Sequence, residues 1–150
     1  MKGFTVIEIA IVVVILAVLT AMAITSFSGF RQNQLLNSDV NKAVSIINEA
    51  RSKTLSSQDF SQYGVHFETT KLALFKGATY VASSPDNASS TLSSFIEISE
   101  ISLAGEGSDV IFQKLTGKTD QSGAITFRVK ADTSKTKTIN ISSTGITNVQ

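Results

Sequence analysis

The chain has 150 residues, one His, one Pro, no Cys and a formal net charge of +1. The length suits one small domain plus a terminal segment. Without Cys there are no disulfides, thiolate metal sites or cysteine nucleophile. The near-neutral charge argues against a protein built to wrap nucleic acid.

The first element is apolar. Ile9 to Ile24 reads IAIVVVILAVLTAMAI, with Thr20 its one polar residue. Together with Phe4, Val6, Ile7 and Phe27 it approaches the roughly 20 residues that cross a hydrocarbon core of about 30 Å. Apolar residues occupy every helical face, which excludes an amphipathic surface helix. A secretory signal peptide would need a basic n-region, a shorter apolar core and a small-x-small site. Here the basic region is Lys2 alone, and Ala21 and Ala23 merely mimic such a site. A signal anchor places Lys2 in the cytoplasm and the rest of the chain outside, with Arg31 as the one opposing charge.

Glu8 is the residue a generic anchor does not need. A carboxylate deep in lipid costs a few kcal/mol, roughly, so it must sit at headgroup level or have a partner. A cut between Gly3 and Phe4 would create that partner. The new α-amine on Phe4 would lie one helical turn from Glu8, and opposite charges attract strongly at low dielectric.

MKG followed by FTVIEIAIVVVILAVL resembles the short leader and N-terminal helix of type IV pilins and type II secretion pseudopilins. The resemblance rests on Lys2, Gly3, Phe4, Thr5, Ile7 and Glu8 and on the apolar run after them. It implies that prepilin peptidase cuts after Gly3 and methylates Phe4. It also implies a single-pass cytoplasmic (inner) membrane protein with its N-terminus in the cytoplasm and its domain outside. Such subunits enter a pilus or pseudopilus through an inner-membrane assembly platform. Family helices often carry Pro in a stretch like A-I-P-S-F. This chain has Ala23-Ile24-Thr25-Ser26-Phe27, so no forced kink is expected there.

Beyond Phe30 the pattern becomes periodic. Leu36, Val40, Ala43, Ile47 and Ala50 form one stripe of an amphipathic helix. Asn33, Asn37, Asp39, Lys42, Asn48 and Glu49 fill the other faces, and Glu49 and Lys53 form an i,i+4 pair. Gly29 marks a candidate hinge, at ~1 kcal/mol relative to Ala. The reading is one helix from Phe4 to Leu55, its first half in lipid or a filament core and its second half on a sheet.

Short strands follow at 63–67, 72–75, 79–82, 95–103, 110–115, 124–130, 138–142 and 146–149. Residues 83–94 read as a polar loop with Pro85, Asp86 and Asn87 as turn residues. Broken alternation predicts a bulge near Glu100. A long helix and then antiparallel strands make the fold α+β. The chain divides into a leader at 1–3, a transmembrane and assembly helix at 4–30, an amphipathic helix at 31–56 and an antiparallel β-domain at 57–150. VIFQKLTGKTDQSGAITFRVK, TKTINISSTGIT and YGVHFETTKLALFKG resemble the strands of the H-type pseudopilin and FimT-like minor pilin domain.

Chemical sites are sparse. His66 lies in a strand beside Val65 and Phe67, which fits a solvent-facing or satisfied half-buried side chain better than a catalyst. Asp86, Asp109, Asp120 and Asp132 are dispersed, with no calcium-type loop, and no phosphate-binding glycine motif occurs. No metal, cofactor or enzymatic chemistry is expected. Asn87-Ala88-Ser89 and Asn140-Ile141-Ser142 match the glycosylation sequon. Charge is uneven: 77–113 is acidic, whereas Lys114, Lys118, Arg128, Lys130, Lys135 and Lys137 dominate the end. Some FimT-like minor pilins bind DNA through Arg after the last Gly. Here Ile146, Thr147, Asn148 and Val149 follow Gly145, so DNA is disfavoured as a partner. The expectation is a structural subunit, a minor pilin or pseudopilin, whose partners are prepilin peptidase, other subunits and membrane lipid. The alternative is a membrane-anchored binding module such as a DNA-uptake minor pilin.

Overall fold

The structure, a computed structural model, describes residues 3–150, and for residues 22–28 the backbone alone. The fold is α+β, with a long α-helix, a short 3-10 turn and two four-stranded antiparallel sheets. Residues up to Gln34 form one compact unit and Leu35–Gln150 another.

Helix α1 runs Val6–Leu55 without interruption, through Thr25 and Gly29. It begins two residues later than the sequence suggests, because Thr5 caps it. Among the described residues no helix is long and apolar enough to cross a membrane. The expected span at 4–30 includes residues 22–28, whose side chains lie outside those described, as Lys2 of the expected leader does.

In the second unit the stripe of α1 is fully used. Leu36, Val40, Ala43, Ile47 and Ala50 are all buried, in one cluster with residues of both sheets. Burying each of the larger ones contributes about 1.5–3 kcal/mol. Asp39, expected on a polar face, is buried as well. Its Oδ2 accepts the Ser93 N–H at 2.8 Å, and that bond is what lets a carboxylate leave water. At the helix end Thr54 is fully buried. Its hydroxyl donates to the Ala50 carbonyl at 2.9 Å and accepts the Tyr63 N–H at 2.9 Å. One small side chain thus joins α1 to the first strand.

Sheet A has the order β3-β2-β1-β5, built from β1 (Tyr63–Glu68), β2 (Lys71–Lys76), β3 (Ala88–Thr91) and β5 (Asp109–Ile111). Sheet B has the order β4-β6-β7-β8, built from β4 (Ile96–Leu103), β6 (Gly123–Val129), β7 (Asp132–Ile141) and β8 (Thr147–Val149). Ile101, Ile125, Ile139 and Val149 are cross-strand neighbours through all four strands of sheet B. The bulge is present: the β4–β6 register shifts between Ile98 and Glu100.

Several elements differ from the sequence reading. Residues 79–82 are not a strand, and β3 lies inside the expected loop at 83–94. The segment after β2 instead covers the outer face of sheet A. Phe75 lies so close over Gly64 that a Cβ there would come within 2.6 Å of its ring, and Tyr80 meets Phe75 edge-on at 5.6 Å. Strand β3 is a polar edge strand, with no buried face to leave an alternating pattern. Strand β7 starts six residues before the expected Thr138, because Asp132, Thr136 and Lys137 pair with β6 across a register shift without burying a side chain.

Candidate functional site

The residues that carry the sequence argument, Gly3, Phe4 and Glu8, meet at the start of α1. Thr5 N–H donates to Glu8 Oε2 at 3.5 Å, and Glu8 N–H donates to Thr5 Oγ1 at 3.3 Å. This is a reciprocal capping box, in which the N–H groups of Thr5 and Glu8 each find a side-chain acceptor in the other residue. The Thr5 carbonyl also accepts from Glu8 and Ile9 N–H at 3.1 and 3.3 Å. Phe4 precedes the cap and Ile9 follows Glu8. Both line a shallow hollow of about 250 Å³ with Val12 and Val13, the arrangement of a hydrophobic staple.

Glu8 therefore has a local role that the sequence reading missed, although T-x-x-E before an apolar run is its signature. The carboxylate also suits the positive end of the helix dipole. Phe4 is not in the helix, so its main-chain nitrogen lies just outside the first turn.

The apolar surface around this cap lies open to solvent. From Phe4 to Leu19 every large hydrophobic residue is at least 50% exposed, Val6 reaching 87%. Among the described residues of this first unit nothing covers them. Gly3 is equally unconstrained, since a Cβ there would meet nothing within 4 Å.

His66 lies in a different setting. Its Nδ1–H points to Asp109 Oδ1 at 2.5 Å, and Nε2 is 3.7 Å from Glu68 Oε1. Its ring stacks on Tyr80, centroids 3.9 Å apart and planes within 6°. The side chain is half-buried, bonded through Nδ1 and stacked on Tyr80, and it anchors the loop over sheet A. Sequence reasoning could not see Tyr80 in this role, because the contact spans two elements. Among the described residues no group of three or more acidic or His side chains could hold a metal ion.

The basic C-terminal half is partly neutralised. Arg128 Nε donates to Glu97 Oε1 at 2.6 Å, and Lys135 lies 3.4 Å from Asp132.

Three loops are clamped where α1 ends. Arg51 Nε donates to the Gly117 carbonyl at 3.1 Å, and Lys114 Nζ donates to the Phe60 carbonyl at 2.5 Å. Gly145, at φ 77°, packs so tightly on Gly117 that a Cβ would lie 2.1 Å from its oxygen. Comparison with known families, curated proteins and solved structures found no match to this chain.

Proposed function

We propose that the chain is a structural subunit of a type IV pilus or type II secretion pseudopilus, a minor pilin or pseudopilin. Prepilin peptidase would process it between Gly3 and Phe4, and it would assemble through its N-terminal helix. The observation that carries this reading is the exposed apolar surface of Phe4 to Leu19. About sixteen residues of uncovered hydrophobic helix need lipid, or the helices of neighbouring subunits, to leave water. Glu8 lies within it, one turn from the proposed new amine. Gly3 supports the same reading, because nothing in the fold requires a glycine there.

In this reading the processed Phe4 amine joins the Thr5 N–H as a donor to Glu8, in its own subunit or in a neighbour. The subunit begins as a single-pass protein of the cytoplasmic (inner) membrane with its N-terminus cytoplasmic and its domain outside. The assembly platform then extracts it into the filament. The β-domain supplies no chemistry to this role, and the pairing of Arg128 and Lys135 leaves DNA a disfavoured ligand.

Mass spectrometry of the N-terminus tests the reading. The expected chain starts at methylated Phe4. A chain starting at Met1, or after Ala23, overturns the processing step and the filament role with it.

A further inference from the structure

The three clamped loops each present a large apolar side chain to solvent. Phe60 is 90% exposed, Leu115 86% and Ile146 62%. They are far apart in sequence, yet their loops touch: Lys114 holds the Phe60 carbonyl, and Gly145 abuts Gly117. Two of them also occupy strained backbone, with φ of 52° at Phe60 and 66° at Leu115. Bulky residues avoid this left-handed region, and such strain persists where the surroundings impose it, often at functional sites.

We infer that this end of the domain docks on an anionic lipid surface. Three knobs on separate loops are too few for a protein interface, which needs about 800 Å² per partner. A bilayer interface accepts isolated apolar knobs and gains affinity from flanking cations. The charge matches. Lys53 and Lys76 are paired with Glu49 and Asp59. Lys114 and Arg51 bond only neutral carbonyls, and Lys118 has no ion pair among the described residues. With Asp120, held by Gln113, the carboxylates of this end are three, Glu49, Asp59 and Asp120, against the five cations Arg51, Lys53, Lys76, Lys114 and Lys118. The surface belongs wholly to Leu35–Gln150, so the inference stands whether or not the filament reading does.

Residues 35–150 contain every residue of the buried cluster and are the protein to test. The chain has no Trp, so Phe60→Trp is a single reporter. With vesicles of phosphatidylcholine and phosphatidylglycerol its emission should shift to the blue and be quenched by brominated acyl chains. Leu115→Gly should weaken partition about tenfold or more without lowering the melting temperature, because glycine relieves the positive φ. Lys118→Gln should weaken binding to anionic vesicles and leave pure phosphatidylcholine unaffected. An emission that ignores both vesicle types overturns the inference, as does partition undiminished in Leu115→Gly. A shift that tracks protein concentration without lipid would make the surface a protein interface instead.

Discussion

The guanidinium of Arg51 reaches 66 residues along the chain to the carbonyl of Gly117, its Nε donating at 3.1 Å. The same side chain lies against Gly145. One residue near the end of α1 therefore holds the turn between β7 and β8 against the loop between β5 and β6. Arg51→Met keeps the stem and removes the donor, and should cost about 1–2 kcal/mol in urea denaturation of residues 35–150. Gly145→Ala should cost more, about 3 kcal/mol or above, because the clash adds to the strain of a positive φ. A cost below about 0.5 kcal/mol for Gly145→Ala would show that the two loops part freely.

The two roles of Glu8 separate by substitution. Glu8→Gln still accepts the Thr5 N–H, so the cap survives, but it cannot pair with a cationic amine. Glu8→Val loses both. The expectation is that both variants insert in the membrane, and that neither enters filaments at more than about a tenth of the normal level. Normal assembly of Glu8→Gln would reduce Glu8 to a helix cap.

Tyr80 fixes the loop over sheet A by stacking on His66 and meeting Phe75. Tyr80→Ser should cost about 0.5–1.5 kcal/mol for each of these two ring pairings. Hydrogen exchange should quicken across 77–87 and stay unchanged in β6 and β7. Equal protection of 77–87 in both proteins would mean the stack is incidental.

Asp59 and Tyr63 give a pH signature. The hydrogen bond from Tyr63, at 2.8 Å, and then the Lys76 ammonium hold the Asp59 carboxyl below its ordinary value. A depressed folded pKa stabilises above the unfolded value, and the benefit fades as pH falls through the folded one. Burial, and then the bond to Asp59, push the Tyr63 phenol up. Its share is present below the unfolded pKa and is lost as pH rises through the folded one. Tyr63→Phe should return the Asp59 titration, followed by NMR of its carboxyl carbon, towards the ordinary aspartate range. An unmoved midpoint would assign the shift to the Lys76 and Lys53 ammonium groups.

The parts of the fold that bury an apolar face could be read from sequence. The stripe from Leu36 to Ala50 and the alternation of Ile125, Phe127 and Val129 each record one buried side. The bulge by Glu100 left its mark for the same reason. Strand β3 and the first half of β7 bury little, so their pairing left no period to find. Asp39 read as a surface residue because its donor, the Ser93 N–H, lies 54 residues along the chain. At the candidate site, Thr5 and Glu8 carried a legible capping signal, whereas the clamp of Arg51 on two glycine-bearing loops exists only in three dimensions.

The loop over sheet A also bears on the first sequon. Asn87 Nδ2 donates to the Val81 carbonyl at 2.8 Å, and its Oδ1 is shut away from solvent. A sugar on that nitrogen would take one of the two hydrogens it shares between the Val81 and Ala82 carbonyls, and so would loosen the segment that carries Tyr80. Glycan attachment at Asn87 would therefore work against closure of this loop, and closure of the loop would shield the acceptor nitrogen.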